Sequence, residues 1–75
     1  MINYKKYNNF EEIIEGDEVK INSNGDWNQI FGVIENINCV NKRAEIFSMQ
    51  FPDTRYIVRE DNLGNIEKIV EDIHR

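Results

Sequence analysis

One proline (Pro52), one cysteine (Cys39), one histidine (His74), one leucine (Leu63) and one alanine (Ala44) are spread over 75 residues. A lone cysteine forms no intrachain disulfide, which removes the disulfide-stapled class of small domain and points to a reducing compartment, the cytoplasm. No apolar run approaches the roughly 20 residues of a membrane span. Met1 to Lys6 has no apolar stretch behind its lysines, so no signal peptide is expected. Cys39 and His74 are too few for a zinc site, and the single histidine stands far along the chain from the single thiol, which argues against nucleophilic catalysis. Glu11, Glu12 and Glu15 read as a solvated face rather than as paired catalytic carboxylates, because a domain this small rarely holds the cleft such a pair needs. The expectation is a non-enzyme without metal or cofactor.

Positive charge is also scarce where it would matter most. The net charge is −5, and no lysine or arginine lies between Lys20 and Lys42. The segment from Asn41 to Arg59 is locally basic, with Lys42, Arg43, Arg55 and Arg59 against Glu45 and Asp53. An acidic chain with one modestly basic segment is a poor match for a phosphate backbone.

What is present favours strands. Isoleucine dominates the aliphatic residues, and β-branched side chains suit pleated surfaces. This bias, with abundant Asn, Lys and Glu, also fits an AT-rich genome. Val19 and Ile21 alternate with Glu18, Lys20 and Asn22, a half-buried strand pattern opened by Gly16-Asp17. Asn22 to Gln29 is rich in turn residues, Asn24-Gly25 above all, and contains Trp27. Phe31 to Val40 reads as a second strand, Asn41-Lys42-Arg43 as a hairpin connection, and Ala44 to Phe51 as a third strand with both faces partly apolar. Pro52-Asp53-Thr54 ends it. Arg55 to Arg59 follows as a strand, then Glu60 to Gly64 as a single helical turn. Ile66, Ile69, Val70 and Ile73 have helical spacing, but closure of a barrel asks for a strand over Ile66 to Val70. Near the N-terminus, Asn9 and Glu12 have capping-box spacing, and Phe10 to Glu15 reads as a short helix ended by Gly16.

The series Gly16-Asp17-Glu18-Val19-Lys20-Ile21, polar loop with Trp27, Gly32-Val33-Ile34-Glu35-Asn36-Ile37, apolar strand, Tyr56-Ile57-Val58 and Asp61 to Ile66 resembles the SH3-like small barrels, most of all the KOW-type and photosystem-accessory-type domains. The resemblance implies a single all-β domain: an extension and short helix over 1–15, a barrel of about five strands over 16–70, and a tail over 71–75. Proline-peptide recognition is not implied, because the Ala-Leu-Tyr-Asp-Tyr-like strand and paired tryptophans of ligand-binding SH3 domains are missing. The loop from Asn22 to Gln29 has no cation, so RNA contacts of the KOW kind are not implied either.

Three groups of residues are candidates for binding. Trp27 is either an exposed anchor or a lid folded over the barrel mouth. Phe47, Met49 and Phe51 share a strand face, to be covered by a terminal segment or left as a partner or dimer surface. Arg43, Arg55 and Arg59 form either an anion pocket or a solvated face paired with carboxylates such as Glu45, while Tyr56 points to the core. The expected function is a non-catalytic protein-interaction module, an accessory or inhibitory factor of a bacterium or its phage, with a homo-oligomer as a further arrangement. Two alternatives are nucleic-acid binding through Lys42, Arg43, Arg55 and Arg59, and nucleotide sequestration by Trp27 and the arginines at a subunit interface.

Overall fold

The computed structural model describes residues 2–71. Six strands form one antiparallel sheet: β1 (Ile2–Lys6), β2 (Glu18–Asn22), β3 (Asn28–Asn38), β4 (Arg43–Phe47), β5 (Arg55–Arg59) and β6 (Ile66–Glu71), in spatial order β1-β6-β2-β3-β4-β5. The all-β expectation holds. The strand count, the closure and the N-terminal helix do not. Ile2–Lys6, expected to be an irregular extension, is a sixth strand paired to β6 from Ile2 opposite Glu71 to Lys6 opposite Glu67. It gave no pattern to read because neither of its faces is buried. β1 takes the side of β6 that closure would have used, so β1 and β5 end the sheet as unjoined edges. In place of a helix there is one 3-10 turn, Phe10–Glu12. The Asn9 side chain makes no capping bond, and Glu12 accepts the Asn8 backbone N–H at 2.8 Å instead, one residue earlier than a capping box requires. The turn serves burial: Phe10 and Ile13 both enter the core.

Alternation sets the two faces. Val19, Ile21, Ile34, Ala44, Ile46, Val58 and Ile66 are fully enclosed on the inner face, joined by Ile30, Tyr56 and Leu63. Each buried isoleucine contributes roughly 1.5–3 kcal/mol relative to exposure. A single sheet encloses side chains this completely only by coiling around them, with the segment from Tyr7 to Ile13 and the 3-10 turns laid across its openings. At Gly32 the sheet leaves no room for a side chain. A Cβ there would stand 2.5 Å from both Ile46 Cγ2 and the Phe47 carbonyl oxygen.

The Gly16-Asp17 motif is a junction rather than a site. Gly16 has φ +96°, and its N–H donates to Ile34 O at 2.8 Å. The Asp17 side chain, only 11% exposed, accepts from Tyr7 Oη at 2.8 Å and from the Ile14 N–H at 3.2 Å, and stands 3.6 Å from Lys68 Nζ. Burial, reinforced by the bond to Asp17, pushes the Tyr7 hydroxyl well above the usual tyrosine range. Lys42 bridges Glu60 (3.2 Å) and Glu11 (3.3 Å), tying two exposed turns together. Hydrogen bonds to these carboxylates raise its ammonium above the ordinary lysine value.

Residues 72–75, with His74 and most of the expected tail, lie outside the described residues. Among the described residues no helix is long and apolar enough to cross a membrane.

Candidate functional site: the outer sheet face

The residues singled out in the sequence separate into two places. Trp27 closes a 3-10 turn, Gly25–Trp27, and is half-buried. Its ring lies 4.9 Å from that of Phe51 and 5.5 Å from that of Tyr56, both tilted by about 55°. Tyr56 Oη accepts from Asn65 Nδ2 at 3.3 Å, which anchors this aromatic lid to the turn before β6. Trp27 therefore folds back over one end of the core, and Phe51 goes with it.

Phe51 leaves the face it was expected to share with Phe47 because β4 stops at Phe47. Ser48 is buried, its Oγ accepts the Gln50 N–H at 3.2 Å, and its carbonyl accepts the Phe51 N–H at 3.1 Å. These bonds turn the chain, leaving Met49 86% exposed at the tip and Phe51 directed inward. The three-residue apolar patch does not form.

The arginines converge only in part, with Arg43 and Arg59 side by side and Arg55 apart from them. Arg55 is opposite Phe47, and Arg59 is opposite Arg43. A five-residue strand thus holds Arg55 and Arg59 roughly 13 Å apart at about 3.3 Å per residue. Arg55 Nε donates to Glu35 at 2.9 Å, and its Nη1 donates to the carbonyls of Pro52 (3.1 Å) and Thr54 (3.2 Å). Its guanidinium carbon lies 4.7 Å from the Phe47 ring centroid. Arg55 fastens the β4–β5 connection to β3. Arg43 pairs at 3.5 Å with Glu45, the carboxylate expected, though along the same strand and not across strands. Cys39 is exposed.

Sequence reasoning passed over the strongest surface feature. Facing away from the core are Ile2, Tyr4, Phe31 and Val33, all exposed, with Tyr4 at 41% and Phe31 at 50%. Strand register connects them: Tyr4 is opposite Ile69, Val33 is opposite Phe47, and Lys20 is opposite Phe31. Lys20 Nζ sits 5.1 Å from the Tyr4 ring centroid and 6.0 Å from that of Phe31, so one cation spans two aromatic rings on strands separated by β6 and β2. A readable signal did exist. Once Ile30 and Ile34 are assigned inward, alternation makes Phe31 and Val33 face outward.

A cleft of about 480 Å³ opens on the other side of β1 and β6, against the segment that carries the first 3-10 turn; Lys5, Lys68, Val70, Ile14, Glu11 and Glu12 are among its walls. Comparison with protein-family models, with curated proteins and with solved structures finds no match to this chain.

Proposed function

We propose that this chain is an SH3-like, non-catalytic protein-interaction module that docks a partner protein on its outer sheet face. The observation that carries the reading is the exposed set Tyr4, Phe31 and Val33, joined by Lys20 and continued by Phe47. Aromatic side chains with a neighbouring cation supply large contact area at small entropic cost, which is why they recur as binding anchors. The order β6-β2-β3-β4-β5, with a 3-10 turn between β5 and β6, supports the SH3-like part of the reading, and β1 is an addition to it. Phosphate contact by Lys42, Arg43, Arg55 and Arg59 is not favoured, because carboxylates already engage the first three. Trp27 and Phe51 support the loop end and are secondary to the outer face.

The test is capture of a partner from the source cell by the immobilised chain, repeated with Phe31→Ser and with sizing chromatography of the free protein. The expected result is one protein retained by the wild type and lost by Phe31→Ser at an unchanged melting transition. Retention that ignores Phe31→Ser moves the interface elsewhere. A concentration-dependent dimer abolished by the same substitution makes a second copy the occupant of the face.

A further inference from the structure

We infer that the free edge of β1 is a strand-addition site for an extended, acidic segment of a partner protein. The inference rests on reading the chain as a protein-binding module and names the chemistry of what it binds.

An edge strand presents unpaired N–H and C=O groups, and alternate residues direct both away from the sheet. On β5 these groups are blunted by one side chain: Asn62 Oδ1 accepts the Arg59 N–H at 2.6 Å while its Nδ2 donates to the Ile57 carbonyl at 2.9 Å. The Asn62 amide takes the place of a neighbouring strand there. No described residue does the same for β1, where all five residues are exposed.

The chemistry around β1 is selective. Lys5 is directly opposite Lys68 on β6, and like charges at such positions repel. Lys68 has Asp17 at 3.6 Å, but among the described residues no carboxylate lies within ion-pairing distance of Lys5. Glu11 and Glu12 line the same cleft and are engaged elsewhere, by Lys42 and by the Asn8 N–H. A carboxylate on an added strand would be the missing partner for Lys5, above a cleft with room for its neighbouring side chains. On the outer face the same strand would run beside Ile2 and Tyr4, so the complementary segment alternates acidic and apolar residues.

A second copy does not meet this requirement. Antiparallel pairing of two β1 strands about Tyr4 sets Lys5 against Asn3 and Lys6 against Ile2, with no carboxylate facing any of the lysines. Lysine on a short edge strand is the usual guard against self-pairing. Here the lysines that a copy leaves unpaired attract an acidic strand.

The probe is a capped octapeptide of alternating valine and glutamate, titrated into the 15N-labelled full chain and followed by amide shifts and hydrogen exchange. Shifts and new exchange protection are expected at Ile2–Lys6, with loss of at least about tenfold in affinity for Lys5→Glu. A peptide N-methylated at alternate residues, which cannot bond along the edge, is expected not to bind, and neither is the lysine-for-glutamate peptide. Shifts confined to other strands overturn the site, as does binding indifferent to Lys5→Glu or to N-methylation, or no binding at millimolar peptide. If the natural partner is still captured by Lys5→Glu and lost only with Phe31→Ser, the edge site falls and the outer-face reading stands.

Discussion

β1 and β5 are both five-residue strands at the limits of one antiparallel sheet, and they differ in almost every other respect. β5 sends Tyr56 and Val58 into the core, and its free side is bonded by Asn62. β1 sends nothing inward and is held through its ladder to β6 and the bond from Lys6 Nζ to Gly64 O at 2.6 Å. The first edge is covered within the chain at Ile57 and Arg59, whereas the second presents hydrogen-bonding groups beside lysines. Strand stability and strand availability are thus placed on opposite sides of the molecule. Elements used for recognition are commonly drawn from the less stable part of a fold.

The largest effect should come from the sheet centre that carries both edges. Gly32→Ala drives a methyl into Ile46 and the Phe47 backbone, and an overpacking cost of about 3 kcal/mol is expected in urea unfolding. Asn62→Ala strips β5 of its two side-chain bonds. A loss of roughly 1–2 kcal/mol is expected, together with faster amide exchange at Arg59, making β5 resemble β1. If Arg59 exchange does not change, the Asn62 amide is not what finishes that edge.

Tyr7→Phe probes the β1 side, where Tyr7 follows the strand and donates to Asp17. A loss of about 1 kcal/mol is expected at neutral pH. The hydroxyl is held neutral in the folded chain to a higher pH than in the unfolded chain. Its contribution is therefore full below the unfolded value of about 10 and falls as pH rises beyond it. Wild type and Tyr7→Phe should converge in stability under alkaline conditions, and a constant difference across that range would remove the linkage. The smallest effect is expected for Tyr4→Ser, within about 0.5 kcal/mol, since its ring is exposed on a strand without core contacts. Its consequence should appear in partner binding instead.

Much of the fold was legible because half-buried strands advertise themselves. Arg55–Arg59 matches the sequence reading residue for residue, Glu60–Asn65 is the expected helical turn, and Ile66–Glu71 is a strand despite the helical spacing of its isoleucines. The strand expected over Ile66 to Val70 is there, but it is held between β1 and β2 and does not close a barrel. Ile2–Lys6 was invisible because a strand buried on neither side has no alternation to detect. Of the site, the engagement of Glu45 by an arginine was legible, but the pair forms along β4, from Arg43 to Glu45 two residues on, and not across strands as expected. The contact of Trp27 with Phe51 was not, because it depends on Ser48 turning the chain through its own hydroxyl.

By itself the sequence determined an all-β chain without a disulfide framework, the inward direction of Val19, Ile21 and Tyr56, and the turns that separate the strands, since these follow from local alternation and turn chemistry. Only the tertiary structure decided that the sheet stays open, that Arg55 is spent on Glu35, and that Tyr4, Lys20 and Phe31 meet on one face. Each of these depends on which strands lie side by side. Neighbours in a sheet are set by the packing of the whole chain, and distances along the sequence do not encode them.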